Sequence, residues 1–170
     1  MDIEPTDLRT TNLALKHALG GIKNSPNTLQ YAYAQAAFAM LHNHQRQLWI
    51  ISGGQGKSRL ISSLAVVALH MSSKYTKVRI VYSNEALRKR DAEDFADLYN
   101  MPCYKNKISL EVGLKRNYLC NQLLILDEAD IQIFKSIEVF NQSTWHCDLV
   151  AYTATGTDLD PEGMEIEVLL

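Results

Sequence analysis

The segment Leu48-Trp-Ile-Ile-Ser-Gly-Gly-Gln-Gly-Lys-Ser58, an apolar strand running straight into a glycine loop, constrains this chain more than any other stretch. Glycines let a loop close around an anion with successive backbone N–H groups turned inward. Gly53, Gly54 and Gly56 supply that freedom around Gln55. Lys57 then brings a point charge to the β/γ-phosphates of a nucleotide, and Ser58 offers a hydroxyl to Mg²⁺. The helix that opens here, with Arg59 in its first turn, aims the positive end of its dipole at the same anion. Gly53 through Arg59 are therefore the expected nucleotide contacts. The strict spacing G-x-x-x-x-G-K-[ST] is not met, because Ile51 stands where its first glycine belongs. A glycine-rich hairpin or strand-to-helix turn with an incidental lysine would carry the same residues, so a second motif has to decide.

That motif is Leu123-Leu-Ile-Leu-Asp-Glu-Ala-Asp130, an apolar run that ends abruptly in carboxylates. The run reads as a strand buried on both faces of a parallel sheet. Its end puts Asp127 and Glu128 at the C-terminal edge, where open α/β sheets form their ligand crevice. Asp127 is the expected Mg²⁺ ligand, and Glu128 the group that orients or deprotonates the water attacking the γ-phosphate. An acidic helix N-terminus is the plainer reading of these carboxylates alone.

Asp127-Glu128-Ala129-Asp130 spells the DEAD sequence of superfamily 2 ATPases, and Thr153-Ala154-Thr155, after Leu149-Val-Ala-Tyr152, resembles their Ser-Ala-Thr motif. In those families the loop reads G-x-G-K-[ST], which Ile51 does not violate. A narrower resemblance lies in Val78 to Glu93 and the following Leu98-Tyr99: a hydrophobic strand, Ser83-Asn84-Glu85, Leu87 and then Arg90-Asp91-Ala92-Glu93 are similar to the segment after the second strand of the SecA motor. The likeness runs over about residues 30 to 156, in four short blocks. It implies a RecA-like P-loop domain that binds ATP with Mg²⁺, the first lobe of a two-lobed motor, with Thr153 and Thr155 coupling nucleotide state to the second. In these families a glutamine ahead of the loop reads the adenine edge, by an amide pairing that guanine would not satisfy. Gln35 stands near the matching distance, with Gln30 close by. Such motors take an arginine finger from the second lobe, and its loss costs about 10³ to 10⁵ in rate. A lone first lobe is therefore expected to bind nucleotide far better than it hydrolyses it. SecA's polypeptide-binding insertion follows the carboxylate-bearing strand, and the residues after Asp130 leave no room for it.

Composition is that of an ordinary globular domain, 170 residues with 46% hydrophobic content. The formal charge of −2 and the lack of any basic run longer than Arg88-Lys-Arg90 give no footprint for non-specific nucleic-acid binding. Cys103, Cys120 and Cys147 have neither CxxC nor zinc spacing, which points to reduced packing residues. His42 and His44 read as a solvated helix end. No signal peptide and no long apolar span is seen, so a soluble, cytoplasmic chain is expected.

Periodicity predicts helices near 6–19, 28–43, 57–73, 85–98 and 129–141, a further one near 114–120, and strands near 47–52, 78–82, 108–112, 122–126 and 148–153. Alternating strands and helices imply an α/β fold, a mostly parallel sheet with helices on both faces. Glycines and Pro26 divide residues 1–27, an N-terminal helix and its connection, from an ATP-binding domain over 28–170. The residues after Pro161 read as an edge strand or a cut end. Three functions follow: a SecA-like or DEAD-type motor lobe completed by a second lobe or a larger assembly, with a protein substrate; a structural or regulatory subunit keeping the nucleotide-binding fold; or the first domain of a nucleic-acid helicase, which the charge makes the less favoured.

Overall fold

The computed structural model describes residues 24–41, 43, 46–52, 54, 56–115, 117–129, 146–154 and 165–168. The expected helix near 6–19, and all of the one near 129–141 beyond Ala129, lie outside them. The strands are β1 (Arg46–Ile50), β2 (Lys77–Tyr82), β3 (Ile108–Val112), β4 (Gln122–Asp127), β5 (Asp148–Thr153) and β6 (Glu165–Val168). They form one sheet in the order β3-β2-β4-β5-β1-β6, every pairing parallel. The segment after Pro161 thus contributes an edge strand, with Leu48 opposite Ile166.

The two central strands, β4 and β5, are apolar between their polar end residues because both faces are covered. Successive residues of β4 serve opposite layers: Leu123 and Ile125 join the core under the helices, whereas Leu124 and Leu126 join a second cluster with Leu48, Tyr118 and Leu149. α1 (Thr28–Met40) begins in a reciprocal cap, in which Asn27 Oδ1 accepts from Gln30 N at 2.8 Å and Gln30 Oε1 accepts from Asn27 N at 3.0 Å. Such a cap stabilises a helix by about 1 kcal/mol. Its buried face, Gln30, Tyr31, Ala34 and Ala37, is mostly small and packs on α2 (Lys57–Met71). α2 lies between α1 and the sheet, which is why Leu60 through Ala68 are all buried. The two serines in that run satisfy their hydroxyls on the Arg59 carbonyl, at 3.0 Å from Ser62 and 2.6 Å from Ser63.

The expected helix over 85–98 is two helices, α3 (Glu85–Asp94) and α4 (Ala96–Tyr99), because Phe95 leaves the helical region at φ −113°, ψ 23°. The helix expected near 114–120 is absent among the described residues. Its apolar positions are held by tertiary contacts instead: the Tyr118 hydroxyl accepts from Lys115 N at 2.9 Å, and Arg79 stacks 5.0 Å over the ring. At the far edge of the sheet Asp148 accepts from Lys74 Nζ and the Tyr75 hydroxyl, both at 2.5 Å, tying the connection after α2 to the start of β5. No helix among the described residues is long and apolar enough to cross a membrane.

Candidate functional site

β1 leaves the sheet at Ile51, whose N–H donates to the Thr153 carbonyl at 2.8 Å, so the glycine loop departs from a point pinned between β1 and β5. Gly54 and Gly56 both adopt positive φ, 82° and 73°, a region that side chains disfavour. Gly56 is the left-handed cap of α2, and its carbonyl accepts from Arg59 N at 3.0 Å. A Cβ at position 56 would also collide with the Gln30 amide nitrogen, which lies against the loop. The turn thus requires glycine for conformation and for space. It delivers Lys57 and Ser58 to the first turn of a buried helix, whose leading N–H groups make that end an anion site.

β4 brings the carboxylates to the same edge. Asp127 is buried, in register with Tyr152 of β5. Burial first, then the carboxylates of Asp91 and Glu128, push its pKa up to about 6, while Lys57 and Arg90 pull the other way. Glu128 is the single non-glycine residue with positive φ, 54°, among the described residues. Such a conformation costs about 1–2 kcal/mol and persists only where its surroundings impose it. Here Ser83, just beyond β2, donates to Glu128 Oε2 at 2.9 Å.

α3 closes the cleft. Ser58 Oγ donates to Asp91 Oδ1 at 3.1 Å, and Arg90 Nη2 donates to Ser58 Oγ at the same distance. The cleft of about 470 Å³ gathers Gly54, Gly56, Lys57, Ser58, Asp127 and Glu128 with Arg59 and Arg90 at its margin. Neither Gln35 nor Gln30 lines it; Gln35 hydrogen-bonds Tyr31 along α1, and Gln30 has its amide against Gly56 of the loop. Thr153 is buried at the end of β5, meeting the loop through its carbonyl. Gly53, Gln55 and Thr155 lie outside the described residues. Sequence reading assigned no role to Arg90, Asp91 or Ser83; the Arg-Asp-Ala-Glu block was the available signal, and it carried only a resemblance.

The donor set suits Mg²⁺. Among the described residues no three His, Cys, Asp or Glu side chains assemble into a metal cage. What the cleft offers is a hydroxyl and carboxylates, the sparse oxygen set of a cation that keeps several waters and shares nucleotide phosphates. A carboxylate as buried as Asp127 is moreover stabilised in its ionised form by a nearby cation.

No family model and no curated protein matches the chain. Solved structures do. The Hef helicase domain of Pyrococcus furiosus aligns over 80% of this chain and 38% of its own, at 15% identity and a TM-score of 0.53. The Sulfolobus solfataricus SWI2/SNF2 ATPase core in complex with dsDNA aligns over 79% and 33%, at 13% identity and 0.56. The UvsW helicase of bacteriophage T4 aligns over 91% and 61%, at 16% identity and 0.59. The chain therefore spans between a third and three fifths of the length of these structures. Its parallel sheet with flanking helices is the RecA-like α/β fold of these solved domains.

Proposed function

We propose that this chain is the ATP- and Mg²⁺-binding first lobe of a SecA-like or DEAD-type motor, which hydrolyses little until a second RecA-like lobe completes it. One observation carries the reading: Gly54, Gly56, Lys57 and Ser58 share a cleft with Asp127 and Glu128, although some seventy residues separate the two motifs. In this proposal the loop N–H groups and Lys57 hold the phosphates, and Ser58 and Asp127 hold the metal. A Mg²⁺ ion held there would supply positive charge to the bound phosphates. Glu128, held by Ser83, takes the proton of the attacking water. Gln30, whose amide meets Gly56, is the base-reading glutamine we favour over Gln35. Thr153 and Thr155 remain the proposed links to the partner lobe.

Calorimetric titration with Mg·ATP, Mg·ADP and Mg·GTP tests the reading. Lys57→Ala removes charge-assisted contacts worth about 1.5–3 kcal/mol, an affinity loss of roughly 10- to 150-fold. Adenine-selective binding that falls by this amount supports the proposal; an unchanged affinity means that the loop is not the site. A nucleic-acid motor is the second reading, favoured by two neighbours that are helicases and a third that is an ATPase core solved with dsDNA. Salt-dependent binding to nucleic acid would select it.

A further inference from the structure

α3 is a polar, largely exposed helix, and the single residue it buries is a charged one, Asp91, 1% exposed. Its Oδ1 receives Ser58 Oγ at 3.1 Å, Arg90 Nε at 2.9 Å and Arg90 Nη2 at 2.8 Å. Arg90 Nη2 also donates to Ser58 Oγ at 3.1 Å. A serine hydroxyl has one proton and two lone pairs. With the proton committed to Asp91, the lone pairs of Ser58 are left for other partners, and one of them is taken by the guanidinium. A metal ion bound at Ser58 uses a lone pair of the same oxygen, so guanidinium and metal crowd one atom and repel one another as like charges. The two halves of the pair also differ in freedom: Asp91 is fixed, whereas the Arg90 side chain is 51% exposed and can swing outward.

We propose that Asp91 and Arg90 form a latch on the metal-binding hydroxyl. Asp91 is a positioning residue that holds the Ser58 proton away from the metal, and Arg90 is a tethered cation that sits against the Ser58 oxygen until a metal–nucleotide complex displaces it. This rests on the reading of Ser58 as a metal ligand. The latch keeps the cleft's carboxylates partly neutralised when it is empty, and it makes metal entry and departure of Arg90 one exchange.

The test is the ratio of ADP affinity in Mg²⁺ to ADP affinity in EDTA, measured by calorimetry on the full chain and its variants, with folding checked by circular dichroism. Arg90→Ala removes the competitor and should raise the ratio about three- to fivefold, the scale of a half-exposed ion pair. Asp91→Ala frees the Ser58 proton and should lower the ratio about tenfold, as loss of a group that orients a metal ligand does. Asp91→Asn keeps a carbonyl acceptor for Ser58 and should restore most of it. A merely structural role would change both affinities alike; an unchanged ratio in Arg90→Ala and Asp91→Ala overturns the latch while leaving nucleotide binding intact. If Asp91→Ala does not fold, Arg90→Ala decides alone, since it alters an exposed side chain. Absence of ADP binding by the unaltered chain in both conditions overturns the latch together with the reading beneath it.

Discussion

Replacing Asp127 by Asn should stabilise the metal-free chain while abolishing its response to metal. Burial and the neighbouring Asp91 and Glu128 carboxylates raise Asp127 from 3.8 to about 6. The folded state thus holds this proton more tightly than the unfolded state does. The group's penalty is absent below pH 3.8, grows as pH rises toward 6 and is complete above it. At 1.36 kcal/mol per pH unit, the ionised carboxylate costs the fold about 3 kcal/mol at pH 8. Asn fills the same volume without the charge, so Asp127→Asn should recover up to about 3 kcal/mol there, a rise in Tm of about 6–12 °C for a chain of this size. Thermal melts of both proteins in EDTA, from pH 4.5 to 8, give the quantity directly. Their difference in stability should widen from pH 4.5 to about 6 and then stay constant; other carboxylates titrate in both proteins and cancel. With Mg·ADP added, the unaltered chain should gain stability and Asp127→Asn much less. Equal melts at pH 8, or a variant less stable than the original at every pH, would refute the reasoning, because burial would then not penalise the ionised Asp127.

Two other substitutions probe the cleft. Glu128→Gln should preserve Mg·ATP affinity while reducing whatever hydrolysis the chain shows, alone or with its second lobe, because it removes the base and leaves Asp127 and Ser58 in place; a matching fall in affinity would show that Glu128 holds the ligand instead. Gly56→Ala should cost about 1–2 kcal/mol in denaturant titration through its left-handed φ, with a further loss from collision with Gln30. Combining it with Gln30→Ala should return the second part, and a non-coupled pair would mean that the amide simply moves aside.

What could be read from the sequence was what is contiguous in it. β4 and β5 announce themselves because burial on both faces leaves no polar position between their polar ends, and the glycine loop and the Asp127-Glu128 pair each carry their chemistry in adjacent residues. The failures share a cause, tertiary contact. Leu114 and Tyr118 have helical spacing, but Tyr118 serves Arg79 and its hydroxyl caps Lys115, so no helix forms. Nothing local marks Phe95 as a break, since neither Gly nor Pro stands there. Distance counted along the chain likewise does not show that Gln30 reaches the loop, which it does because it stands at the capped end of α1. Arg90 and Asp91 lie 32 and 33 positions from Ser58 and meet it only once the intervening strand has paired with β4. Strand order was equally hidden: β5 lies between the strand that feeds the glycine loop and the strand that bears the carboxylates.

The cleft also stands out without any motif. Over most of the sheet and helices, local preference and global fold agree, with apolar strands at the centre, a capped α1 and satisfied buried serines. The departures fall together at one edge: a glycine cap in left-handed backbone, a glutamate in the same conformation, a buried aspartate raised toward neutrality and a helix whose one buried residue is charged. Each costs stability in the empty protein, and they adjoin one another across elements distant in sequence. Costs that cluster where function would lie are what a sequence retains when the site answers to a ligand as well as to the fold. Three of the four involve negative charge, with Asp91, Asp127 and Glu128 set against Lys57 and Arg90. The imbalance in the immediate site is one excess negative charge, which a divalent cation more than offsets, so a polyanion anchored on Lys57 and the α2 N-terminus is better accommodated with that cation than without it.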